Sequence, residues 1–162
     1  MEKKKHRDSE VAADWLQSAG IDAAALSQLA FMGHDDEAET AAANDALLES
    51  TDPFDQFYTL VALPVGAGGE TALAEFERCV ENGYNGGVLE TRTGGIEVND
   101  AELDPVLEYA NDMGAPIFVH PKVNDSLHPD ALDESYHLNA IFGREGGSSA
   151  LIKRSMRRWI VL

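Results

Sequence analysis

Phe57-Tyr58-Thr59-Leu60-Val61-Ala62-Leu63, closed by Pro64, is the stretch on which the fold turns. A near-continuous apolar run of this length marks a strand buried on both faces, as in a parallel sheet. The period then changes. Leu73, Phe76 and Val80 recur at helical spacing up to Gly83, so the strand gives way to an amphipathic helix. The same sequence of events repeats downstream. Tyr84 to Glu90 reads as a strand, and Gly94-Gly95 as a turn. Asp100 is placed to cap a helix with Leu103, Val106, Leu107 and Ala110 facing inward, ended by Gly114. Pro116-Ile117-Phe118-Val119-His120 is the next strand, closed by Pro121. Strand starts near 57, 84 and 116 are spaced by roughly 30 residues, one strand–helix unit. Short strands alternating with helices predict an α/β fold with a parallel sheet.

Upstream, Asp8 to Ala19 reads as a helix with Val11, Trp15 and Leu16 on one face and Gly20 as its stop. Ile21 to Leu29 is Ala-rich, and propensity alone does not make it a strand. Asp35 to Glu49 has an acidic first turn suited to the positive end of a helix dipole, and Thr51-Asp52-Pro53 breaks it. Downstream, Ala131 to Phe142 and Ser148 to Leu162 read as helices, the second amphipathic and basic. No linker divides the chain, so residues 1–162 are read as a single domain.

The formal charge of the 162 residues is −17. Residues 8–152 hold 28 acids against four bases, Arg78, Arg92, Lys122 and Arg144, a net −24. So acidic a surface excludes nucleic acid and anionic membranes as partners. No apolar run reaches the roughly 20 residues needed to span a bilayer, and no signal-peptide core follows the charged N-terminus. The expectation is a soluble, cytoplasmic protein. Low lysine with abundant Asp, Glu and Ala points further to a halophilic, salt-rich setting, in which the self-repulsion is screened. The thermal midpoint should therefore rise between dilute buffer and molar KCl. A flat or falling midpoint would remove this inference.

Parallel α/β folds place functional groups at the carboxyl ends of strands. Three such ends are legible: Leu63-Pro64, Glu90-Thr91-Arg92 and His120-Pro121. His120 is the candidate metal ligand, since a neutral imidazole on a rigid strand can bind a divalent ion. Glu90 and Arg92 either face substrate or pair with one another. His34, in an acidic loop, His128 and His137 are weaker candidates. The single cysteine, Cys79, permits no intrachain disulfide and no Cys-based zinc site, and its place in a helix suggests a buried, inert thiol. There is no phosphate loop, nucleophile elbow or dinucleotide fingerprint.

Taken in order, several segments resemble the amidohydrolase-related family, in the branch that includes aminocarboxymuconate-semialdehyde decarboxylase. They are Phe57 to Pro64 with Ala74-Glu75-Phe76-Glu77-Arg78-Cys79, Tyr84 to Thr91, Asp100 to Pro105, and Gly114 to Pro121. Ala19-Gly20-Ile21-Asp22, Leu26-Ser27 and Asn44-Asp45 also fit. The similarity runs over roughly residues 12 to 150, and the Val-His-Pro segment is its most specific part. The resemblance implies a partial (β/α)8 TIM barrel, about half of it present with parallel strands, the second to the fifth. It implies one divalent metal, most often zinc, with His120 as the mid-chain ligand. It implies hydrolysis of C–N bonds, or non-oxidative decarboxylation, of a small carboxylate or amide substrate. The family's His-x-His on the opening strand is missing here, as are its later strands with a catalytic His and a metal-binding Asp. No catalytic residue is therefore assigned, and metal binding by this chain alone is doubtful. The chain is expected to be truncated and inactive by itself. The competing readings are a non-catalytic assembly module, or one half of a split enzyme. In either case a homo-oligomer or a complementary fragment is the expected partner, because open sheet edges invite pairing.

Overall fold

A computed structural model describes residues 9–120. The elements are α1 (Ser9–Ser18), β1 (Ala24–Ser27), α2 (Glu37–Thr51), β2 (Phe57–Ala62), α3 (Gly69–Glu81), β3 (Gly86–Glu90), a hairpin of β4 (Arg92–Thr93) and β5 (Ile96–Glu97), α4 (Asp104–Met113) and β6 (Ile117–His120). The helices predicted at 131–142 and 148–162 lie outside the described residues.

Four strands form one parallel sheet in the order β1-β2-β3-β6. That order follows the chain without a reversal. A doubly wound fold would switch direction across its sheet and place helices on both faces. A singly wound sheet puts every right-handed crossover on the same side, which is the geometry of half a (β/α)8 barrel. Register partners in a parallel sheet share a face. Leu26, Thr59, Val61, Gly87, Leu89, Ile117 and Val119 therefore lie on one side. Val61, Leu89, Leu26, Ile117 and Val119 pack there with Leu47 of α2, Ala72, Phe76 and Cys79 of α3, and Val106 and Ala110 of α4. Ala25, Ser27, Tyr58, Leu60, Ala62, Val88, Glu90, Phe118 and His120 lie on the opposite, inner side. There Val88 is fully buried, whereas Tyr58 and Phe118 are 52% and 54% exposed. The run at 57–63 is thus buried on its helix side and half open at Tyr58 on the other.

The outer helix face also differs from the sequence pattern in two places. In α1 the buried residues are Ala13 and Leu16, which pack on Phe57, while Val11 and Trp15 are exposed. Asp100 does not cap an α-helix. Its carboxylate accepts from the Glu97 backbone N–H at 2.7 Å, and a 3₁₀ turn, Ala101–Leu103, intervenes. The α-helix begins at Asp104, with Pro105 in its first turn, where a missing N–H leaves nothing unpaired. Asp36 caps α2 by accepting from Glu39 N at 2.9 Å.

Among the described residues, a polar network crosses the core. Asn44 of α2 is fully buried. Its Oδ1 accepts from Ala62 N at 3.0 Å, and its Nδ2 donates to Ala62 O at 3.1 Å and to Glu75 Oε1 at 2.7 Å. Arg78 donates to both oxygens of Glu75, at 2.7 and 2.9 Å, and to Asp45 at 2.7 Å. Burial opposes ionisation of Glu75, but the donors Arg78, Asn44 and Cys79 together outweigh it and hold the carboxyl below its ordinary 4.5. Burial pushes the Cys79 thiol far up, reinforced by the Glu75 carboxylate. Cys79 is therefore the inert thiol its helix position predicts.

Candidate active site at the carboxyl ends of the strands

The sheet register decides which of the candidate residues meet. Glu90 and His120 are paired Cα partners at the ends of β3 and β6. Thirty residues apart in the chain, they become same-face neighbours, about 4.8 Å between strands. The register is locked at this point, since Thr91 N donates to His120 O at 3.0 Å. The Nδ1 of His120 is buried and has no hydrogen-bond partner. A buried ring nitrogen left unpaired costs free energy, so this atom calls for an explanation. Ser27 Oγ, at the carboxyl end of β1 on the same inner face, is likewise buried without a partner.

The loops behind these ends converge. Thr93 Oγ1 donates to Glu90 Oε2 at 2.6 Å. Gly33, in the loop after β1, has φ +72° and lies so close to the Thr93 side chain that a β-carbon would overlap it. Gly33 N donates to Leu63 O at 2.9 Å. A β-carbon at Gly66, in the loop after β2, would overlap the Gly33 carbonyl oxygen. The loop after β1 therefore meets the Glu90–Thr93 pair, with the loop after β2 packed behind Gly33, and only glycine allows the approach at Gly33.

Arg92 follows on the hairpin. It is exposed on β4, across the hairpin from Glu97. His34 has a local role: its Nδ1 accepts from Asp36 N at 3.3 Å and its ring packs edge-on against Phe31. His128 and His137 lie outside the described residues. An open depression bordered by Asp35, Asp36 and Glu37 at the start of α2 includes none of the strand-end candidates. Among the described residues, no three His, Cys, Asp or Glu side chains gather as a metal site. His120 and Glu90 fit two positions of an N/O donor set and no more. The sequence carries no local site signal at Ser27, Thr93 or Gly33. Ser27 sits in a segment too Ala-rich to register as a strand, and the other two act only through loop packing.

A model of the amidohydrolase family matches residues 12–146. No curated protein matches the chain. Among solved structures, the chain is similar to 5-carboxyvanillate decarboxylase from Sphingomonas paucimobilis, with 26% identity and a TM-score of 0.68 over 87% of this chain and 44% of that one. It is also similar in fold to a Staphylococcus aureus protein described as an amidohydrolase, with 23% identity and a TM-score of 0.60 over 72% and 41% of the two chains. It spans less than half the length of either. With the family model covering most of its residues and its parallel half-barrel matching these structures, the chain belongs to the amidohydrolase family.

Proposed function

We propose that this chain serves metal-dependent chemistry on a small carboxylate or amide substrate, either hydrolysis of a C–N bond or non-oxidative decarboxylation. The observation that carries the reading is the buried, partnerless Nδ1 of His120 at the carboxyl end of β6. His120 holds the divalent ion, with zinc the natural choice for an imidazole donor. Such an ion supplies Lewis acidity, activating water or polarising a substrate oxygen. Arg92 recognises the substrate carboxylate, and Glu90 lines the same end.

A catalytic zinc takes about three protein ligands, more than the described residues gather. We therefore read the 162-residue chain as inactive alone and completed by a second copy or a complementary chain, which would cover Tyr58 and Phe118 on the inner face. One preparation tests both parts. Zinc should bind the metal-stripped chain and be lost in His120→Ala. The chain alone should show no turnover of aromatic carboxylates or amides, and light scattering in high salt should give a mass above 17.5 kDa. Zinc affinity indifferent to His120→Ala would sink the metal reading. Turnover by a monodisperse monomer, abolished in His120→Ala, would sink the incompleteness.

A further inference from the structure

We infer that Glu90 is a second donor to the ion held by His120, so that β3 and β6 together form a two-point clasp for a divalent cation. This rests on the reading of His120 as a metal ligand and goes beyond it, because it moves Glu90 from the substrate to the metal.

Three observations carry it. The first is register: Glu90 and His120 are direct Cα partners on the inner face, so their side chains leave adjacent strands in the same direction. A carboxylate and an imidazole side by side are a donor pair that Zn²⁺ accepts at about 2.0–2.2 Å each. The second is that the His120 nitrogen at this place is buried with no partner, although a carboxylate stands on the neighbouring strand. The third is that the carboxylate is oriented by its surroundings. Thr93 Oγ1 donates to Glu90 Oε2 at 2.6 Å, and the Gly33 backbone packs against the Thr93 side chain. Ligating carboxylates are characteristically fixed in this way by a hydrogen bond from outside the coordination sphere. Thr93 is thus a positioning residue, and Gly33 the backbone that holds it.

The test uses the full 162-residue chain, stripped of metal and titrated with Zn²⁺ by calorimetry in molar KCl, with thermal melts of each variant recorded without metal. Glu90→Gln keeps the size and the Thr93 contact but removes the charge. It should weaken Zn²⁺ binding at least tenfold, as should His120→Ala, while Glu90→Asp retains part of the affinity. Thr93→Val, which leaves the carboxylate in place, should cost a smaller factor of about 2–5, below the roughly 10–100-fold typical of supporting residues at complete metal sites. The metal-free melts of Glu90→Gln and Thr93→Val should stay close to wild type. If His120→Ala loses Zn²⁺ while Glu90→Gln stays within twofold of wild type, the clasp is wrong and the His120 reading stands. If His120→Ala binds as wild type, or the wild-type chain binds no Zn²⁺, the reading beneath it falls and the clasp falls with it.

Discussion

Asn44→Asp is expected to leave the chain largely unfolded in dilute buffer, and Asn44→Ala to cost about 3–5 kcal/mol. The reason lies at the end of β1. That strand pairs with β2 only as far as Ser27 opposite Leu60. Ala62, two residues on, has no strand beside it on that side, and the Asn44 amide takes the missing strand's place. It accepts from Ala62 N and donates to Ala62 O, as a neighbouring backbone would. The same amide nitrogen donates to Glu75. Alanine would leave a buried N–H, a buried C=O and part of a buried carboxylate unsatisfied, each worth about 1–3 kcal/mol or more. Aspartate goes further, setting a second carboxylate where a donor faced Glu75 and the Ala62 carbonyl. Against a total stability of about 5–15 kcal/mol, that suffices to unfold the domain. Urea denaturation followed by circular dichroism measures both, with the exposed Asn111→Ala as a control expected within about 0.5 kcal/mol of wild type. An Asn44→Ala midpoint equal to that control would show that water replaces the amide at no cost.

Gly86→Val should have an effect of similar size by another route, and should also take the Glu90–His120 pairing apart. Gly86 opens β3, and a β-carbon there would run into the backbone carbonyl oxygen of Pro116 and press on Leu60 Cδ2 at 3.1 Å. A side chain can rotate away from an intruding methyl, but a carbonyl fixed in the sheet ladder cannot. That same oxygen accepts from Gly87 N at 3.0 Å, so displacing it breaks the first bond between β3 and β6. Overpacking of this kind costs about 1–3 kcal/mol when the surroundings can adjust and more when they cannot. The expected result is a loss of more than about 3 kcal/mol. Amide hydrogen exchange should show lost protection concentrated along residues 86–90 and 117–120. Gly83→Ala is the comparison: its φ is +104° but no atom lies within 4 Å of the added carbon, so it should cost only the backbone strain, about 1–2 kcal/mol. A Gly86→Val chain as stable as Gly83→Ala would mean that the strands can part without penalty.

The sequence determined, without help, those elements whose signals are local. The apolar run at 57–62 became β2, the helical spacing of Leu73, Phe76 and Val80 became α3, and Pro116 to His120 became β6. Each is set by side-chain period and by the breakers beside it, which act over a few residues. His120 was legible as a strand-end imidazole for the same reason, and the family could be recognised from the order of these segments. Other features could be settled only by contacts between distant parts of the chain. Ala24–Ser27 is a strand because β2 offers it an edge, since Ala-Ala-Leu-Ser has no strand preference of its own. Val11 and Trp15 look like core residues in α1, yet Ala13 and Leu16 are the ones buried, because Phe57 determines which side of that helix is covered. Glu90 comes to lie beside His120, thirty residues away, because parallel register aligns the ends of β3 and β6, while Arg92 lies on the hairpin that follows. Period and propensity fix what a segment becomes. Which side chains converge on a site is fixed by register and packing, and both arise only when strands far apart in sequence bury their common face.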